Sequence, residues 1–353
     1  MNIGSTNNPA SRRSPFPRRT DGFLRISSAA TDGLMCILMN LIQWRRRGET
    51  SQPESLCGYL GECSTLTREE FFSVPEAKDI EESRGGRLIR WRSPLPCPHE
   101  KNQWAFARVF PCAEGAAAPT VILLHALMSA NDRGYRKVAA RFNARGWNAV
   151  FPHLPFHYSR NPSGFLNGEL AVTSDLIRNA ETLRRAVGEC RQLMSILRLR
   201  GCREFGVLGT SYGGWTGALL SFLEDDLRFL ALVQPIVDTE LAIWENPGTK
   251  TMRSQLRAAG VSREVSTRHS HLTSPMHGVP RCGGDRVIIT AGEFDSVSPV
   301  KSLALLQNVW KAKTLITVPQ GHFGYRAIPE TVRAIERAGF LETASPVPSH
   351  VLL

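Results

Sequence analysis

Apolar and polar positions change period repeatedly along this chain, and each change marks an element. "RLIRW" (87–91) and "QWAFARVF" (103–110) alternate, and the turn-forming "SPLPCPHEKN" separates them, which predicts a pair of strands. "TVILLHA" (120–126) is continuously apolar after Pro119, as a strand buried on both faces requires. In "DRGYRKVAARFNARGW", Tyr135, Val138, Ala139 and Phe142 fall at helical spacing, with Gly146 as the stop. "NAVFPHLP" predicts the next strand, and the stretch from Asp175 to Gly201 a long helix with Leu176, Ala180, Leu183, Val187, Cys190, Met194 and Leu197 on one side. "EFGVLG", "RFLALVQPIV", "DRVIITAG" and "TLITVPQG" predict further strands. Helical patterns follow at "YGGWTGALLSFL", "PVKSLALLQNVWK" and "ETVRAIERAGF".

Strand–helix alternation at this spacing specifies an α/β protein, a mostly parallel sheet with helices on both faces. Residues 88–353 form that domain. Within it, 239–280 lacks strand signals and is too long for a plain connection, so a small helical insertion is expected there. Residues 1–87 are an N-terminal extension. Residues 1–20 are rich in Ser, Asn, Pro and Arg and read as disordered, and 48–86 carry at most short helices.

Composition changes the picture in two places. The 353 residues carry a net charge of +11, and the first fifty hold a disproportionate part of it. Eight arginines (12, 13, 18, 19, 25, 45, 46 and 47) stand there against Asp21, Asp32 and Glu49. Two readings stand for this tail: a solvated arm, or weak contact with an anionic membrane surface. No nucleic-acid partner is expected. "GLMCILMNLIQWRRR" is the nearest approach to a membrane-spanning run, but it holds about a dozen apolar-rich positions where about 18 are needed. Asp32 abuts it, and three arginines occupy the place of a cleavage site. A short amphipathic helix is expected. The eight cysteines contain no CxxC pair and match no zinc pattern, which suits a reducing, cytoplasmic setting, peripheral at a membrane at most. Cys57 and Cys63, the closest pair in sequence, have the spacing to bridge across a loop, but nothing in the pattern requires it.

The chemistry gathers around "LGTSYGGW" (208–215). Ser211 stands between Gly209 and Gly213, at the junction of a predicted strand and a predicted helix, which is the context of a nucleophile elbow. A serine needs a base to become nucleophilic, and the base needs an anionic partner to hold its tautomer. Asp295, in "GEFDSVSP", lies just beyond one later strand, and His322, in "PQGHFGY", just beyond the next. Asp238, after "RFLALVQPIV", is the rival acid; otherwise it caps a helix.

From about Leu88 onward, the ordered set Ser211, Asp295, His322 at three strand ends resembles the α/β-hydrolase superfamily. That resemblance implies acyl transfer through an ester on Ser211, with His322 as base then acid and Asp295 as its orienter. It also implies an oxyanion hole from the backbone N–H groups of Tyr212 and Leu127, with Met128 as the fallback. His125-Ala126 stands where His-Gly is common, so a left-handed conformation at 126 would cost Ala what Gly avoids.

The expected substrate is a small-molecule carboxylic ester. An acyltransferase using the same acyl-enzyme, or a catalytically silent scaffold, are the rival readings. Ser at position 211 excludes the relatives that use Cys or Asp there. No cofactor and no metal are expected. Pro152 and Pro155 forbid the helix on which His153 and His157 would act as an i, i+4 metal pair. These two histidines are candidates for lining the pocket, whereas His125 is read as bonding loop backbone. His269, His271 and His277 are read as surface or loop residues, and Trp215 and Trp244 as core or pocket wall.

Overall fold

A computed structural model describes residues 19–46 and 49–342; of the disorder expected over residues 1–20, positions 19 and 20 are helical instead, and the rest lies outside the described residues. Among the described residues, nine strands form one sheet: β1 (Glu81–Glu82), β2 (Leu88–Arg92), β3 (Trp104–Phe110), β4 (Thr120–Leu124), β5 (Asn148–Pro152), β6 (Phe205–Thr210), β7 (Leu227–Val233), β8 (Val287–Gly292) and β9 (Thr314–Val318). Their order across the sheet is β1-β2-β3-β5-β4-β6-β7-β8-β9. The pairs from β1 to β5 are antiparallel, and those from β5 through β9 are parallel.

The central strands are apolar throughout because both faces are covered. Ile122 and Leu124 point into one core with α5 (Leu176–Leu199), α6 (Tyr212–Leu220) and α11 (Val300–Trp310). Val121 and Leu123 point into the other, with α4 (Arg133–Asn143) and α12 (Ala327–Arg337). The alternation of side chains along one strand thus fills two cores at once.

The insertion folds as α7 (Thr239–Trp244), α8 (Lys250–Ala258), α9 (Arg263–Thr267) and α10 (Ser270–Thr273). Trp244, Met252, Leu256 and Val261 from it pack with Leu56 and Leu60 of α2 (Pro53–Ser64) into a third cluster. Asp238 accepts from the amides of Glu240 and Leu241 and so caps α7.

Two expectations for the N-terminal part are corrected. The helix there is not short: α1 runs Arg19–Trp44, 26 residues. Its segment Gly22–Trp44 is long and apolar enough, by length and composition, to cross a membrane, contrary to the run counted in the sequence. The sequence reading let Asp32 break the run. In the fold Asp32 is 1 % exposed and turned inward, where it receives backbone N–H groups, so the helix continues past it. The boundary at residue 87 also moves. β1 pairs with Ile89 and Arg90 of β2, and Cys63, Phe71 and Phe72 enter the main core, the last two from or beside α3 (Arg68–Phe71). All eight cysteines are free; Cys57 and Cys63 lie on one helix and form no bridge.

α1 lies along the insertion and completes it. Asn40 Oδ1 accepts from the Thr251 amide at 2.7 Å, and Gln43 Oε1 from the Met252 amide at 3.2 Å. Both amides belong to the first turn of α8, whose N–H groups have no partner within their own helix.

Candidate active site

The elbow begins with close packing. β6 runs between β4 and β7, and the chain must reverse into α6 with no room for side chains. A Cβ on Gly213 would lie 2.3 Å from the Leu124 carbonyl oxygen. Ser211, between strand and helix, takes φ 51° and ψ −110°, a left-handed conformation costly for any residue but Gly. Its N–H donates to the Val233 carbonyl at 2.9 Å, which fixes the turn to β7.

Ser211 Oγ is 2.8 Å from His322 Nε2, and His322 Nδ1 is 2.9 Å from Asp295 Oδ2. Ser211 follows β6, Asp295 follows β8 and His322 follows β9, so three parallel strands of the sheet deliver the three groups to one rim. The Asp295 side chain is fully buried, and the His322 side chain is 6 % exposed.

The Asp295 carboxylate is compensated on all sides. Oδ1 accepts from the amides of Val297 at 2.8 Å and Ser298 at 2.7 Å. Oδ2 accepts from Gln234 Nε2 at 2.5 Å as well as facing the imidazole. Hydrogen bonds of this kind hold the carboxylate in place and fix the oxygen that His322 meets. Gln234 stands just past β7 with φ 47°. It also donates to the Gly321 carbonyl at 3.0 Å, and Gln320 Nε2 donates to Gln234 Oε1 at 2.6 Å. The sequence reading passed over Gln234 and Gln320, because a glutamine past a strand end carries no motif.

A second carboxylate reaches the site from α1. Asp32 Oδ2 accepts from the His322 amide at 2.9 Å and Oδ1 from the Phe323 amide at 3.3 Å. Oδ2 also receives the Ser296 amide at 3.4 Å, so Asp32 holds the loops that carry both His322 and Asp295. Gly321 allows this approach: a Cβ there would lie 2.5 Å from Asp32 Oδ1.

The loop after β4 faces Ser211. The Met128 amide donates to His157 Nε2 at 3.2 Å, and the Ala126 amide to the Tyr135 hydroxyl at 3.2 Å. Met128 is therefore committed, and the amide of Leu127 lies between two anchored neighbours. The left-handed residue is Met128 (φ 54°), not Ala126, so alanine at 126 meets no such strain.

His157 lies behind the loop rather than on the pocket wall. Its Nδ1 is 2.8 Å from the Pro155 carbonyl, which leaves Nε2 as acceptor. His125 makes the same use of its ring, with Nδ1 on the Ala126 carbonyl and Nε2 accepting from the Leu154 amide. His153 bonds Ser159 Oγ at 2.8 Å, also away from the cavity. Burial lowers the pKa of His157 to about 4, and that of His125 well below its ordinary value. Each ring stays neutral in one tautomer.

A cavity of about 400 Å³ opens at Ser211 and His322. Met35 and Met39 of α1, Leu183, Trp215, Ile243 and Met252 give it an apolar wall. Trp215 donates its indole N–H to the Thr273 carbonyl at 2.6 Å. His269 also lines this cavity, where burial and the nearby His271 lower its pKa to about 4; it is not the plain loop residue expected. His271 and His277 are exposed. Among the described residues, no three His, Cys, Asp or Glu side chains gather as metal ligands would.

No family model matches the chain. It is 25 % identical over 203 residues to uncharacterized proteins of two Mycobacterium tuberculosis strains, CDC 1551 / Oshkosh and ATCC 25618 / H37Rv. That match takes in 56 % of this chain and 48 % of each relative, so it spans about half the length of those proteins. Among solved structures, acetyl xylan esterase 1 from Thermoanaerobacterium sp. JW/SL YS485 superposes with a TM-score of 0.56 at 17 % identity, over 83 % of this chain and 96 % of that one. An acetyl xylan esterase from Paenibacillus sp. R4 gives 0.53 at 12 % identity, over 82 % and 96 %. The chain has the α/β-hydrolase fold.

Proposed function

We propose that this protein is a serine hydrolase that cleaves a carboxylic ester through an acyl-enzyme on Ser211. The observation that carries the reading is the continuous chain from Ser211 Oγ through His322 to Asp295, at 2.8 and 2.9 Å. His322 Nε2 takes the serine proton as Oγ attacks the ester carbonyl. The tetrahedral oxyanion is held by the amides of Tyr212 and Leu127. His322 then protonates the departing alkoxide, and the alcohol leaves. Water, deprotonated in turn by His322, attacks the acyl-serine, and the acid departs as Ser211 regains its proton. Asp295 holds the Nδ1–H tautomer throughout. The apolar cavity suits an aliphatic acyl group.

A fluorophosphonate probe is expected to label the protein at Ser211, and a Ser211→Ala variant is expected not to label. Folded protein that resists the probe would point to a silent scaffold. Against p-nitrophenyl esters, kcat/KM is expected to rise about three- to four-fold per added methylene above acetyl until the cavity is filled, as about 0.8 kcal/mol per buried methylene implies. A maximum at acetyl would contradict the acyl-pocket assignment.

A further inference from the structure

The inward side of α1 is fully used, by Asp32 on the catalytic loops, Met35 and Met39 on the cavity, and Asn40 and Gln43 on α8. The opposite side is apolar and open. Phe23, Ile26, Leu34, Ile37, Leu38 and Leu41 are between 45 and 72 % exposed. At about 100° per residue, all six lie within about 60° of the direction opposite Asp32. Between Gly22 and Arg46 the only acidic residue is Asp32, which is turned inward and buried. Arg45, on the outward side at the helix end, is exposed.

Three occupants fit an apolar stripe on a helix: a bilayer around it, a second copy beside it, or a lipid surface under it. Spanning is disfavoured by Asp32, which lies at the middle of Gly22–Trp44. A carboxylate at the centre of a membrane helix is unfavourable, and withdrawal would strip the His322 and Phe323 amides of their acceptor. The stripe is also broader than the two-position seam by which paired helices meet. A broad apolar face free of acids, with arginine at its end and an arginine-rich segment around it, matches an anionic lipid surface.

We propose that α1 is a peripheral membrane anchor: its outward face docks on an anionic lipid surface while its inward face remains part of the active site. The cavity wall formed by Met35 and Met39 then sits directly above the membrane plane. The docking does not depend on Ser211 chemistry; its link to substrate rests on the ester-hydrolase reading.

The test is sedimentation of the full chain with phosphatidylcholine vesicles, with and without phosphatidylglycerol. Pelleting with the anionic vesicles, weakened by salt, is the expected result. A Leu34→Gln/Ile37→Gln/Leu41→Gln variant is expected to lose vesicle affinity about tenfold or more, while its hydrolysis of soluble p-nitrophenyl butyrate is unchanged. Wild-type protein left in the supernatant, or a variant that pellets equally, would overturn the proposal. So would resistance to alkaline carbonate, which signals a spanning helix, or a dimer indifferent to vesicles that the three substitutions dissociate. If the wild type hydrolyses no ester, circular-dichroism melting replaces hydrolysis as the folding control, and the vesicle result stays readable.

Discussion

Single residues here act through the bonds they leave available. Asp32 touches neither the serine nor the imidazole ring, yet it accepts the backbone N–H of His322 itself. Removing it frees a loop whose placement sets the Oγ to Nε2 distance. Asp32→Ala is therefore expected to lower kcat by about tenfold or more with a smaller change in KM, since a misplacement of about 1 Å is enough to lose 10² in rate. Ester kinetics on the purified variant check this; an unchanged kcat would show that β9 and Gln320 hold the loop unaided. Asp32→Asn, which keeps one accepting oxygen, is expected to fall between.

At the scale of elements, the junction of β6 and α6 concentrates the strain. Ser211 is left-handed, and Gly213 lets α6 pass against the end of β4. A methyl group on Gly213 would meet backbone carbonyl oxygens of Leu124 and His125 rather than a movable side chain. Gly213→Ala is expected to destabilise the fold by about 1–3 kcal/mol, the usual range for overpacking, and to displace the serine. Urea unfolding together with probe labelling measures both effects. The corresponding change at Gly134 on α4, whose Cβ would meet nothing within 4 Å, is expected to be neutral or slightly stabilising.

For the molecule as a whole, the buried histidines behind the oxyanion loop tie stability to pH. An unfolded imidazole takes its proton near pH 6.5, whereas His157 in the fold does so only near 4, and His125 also well below the ordinary value. Below about 6.5 the unfolded chain binds more protons than the folded one, so acidification favours unfolding. Each such ring contributes a slope of about 1.4 kcal/mol per pH unit through that window. Stability is expected to be flat from pH 8 to 7 and to fall by about 2 kcal/mol or more by pH 5. Urea midpoints across that range check it, and a midpoint indifferent to pH would contradict neutral buried rings.

What the sequence determined by itself is what repeats locally. Continuous apolar runs marked β4 through β8, helical spacing marked α4, α5 and α12, and three strand ends in order carried Ser211, Asp295 and His322. Those signals are short-range, because the period of an element records which of its sides is covered. What covers it is another matter, decided only in three dimensions. Asp32 read as a break in an apolar run, since nothing near it in the chain reveals that its acceptors' partners are amides 290 residues away. Gln234, His157 and His269 gained their places in the same way, through packing that brings together backbone groups and rings no motif connects.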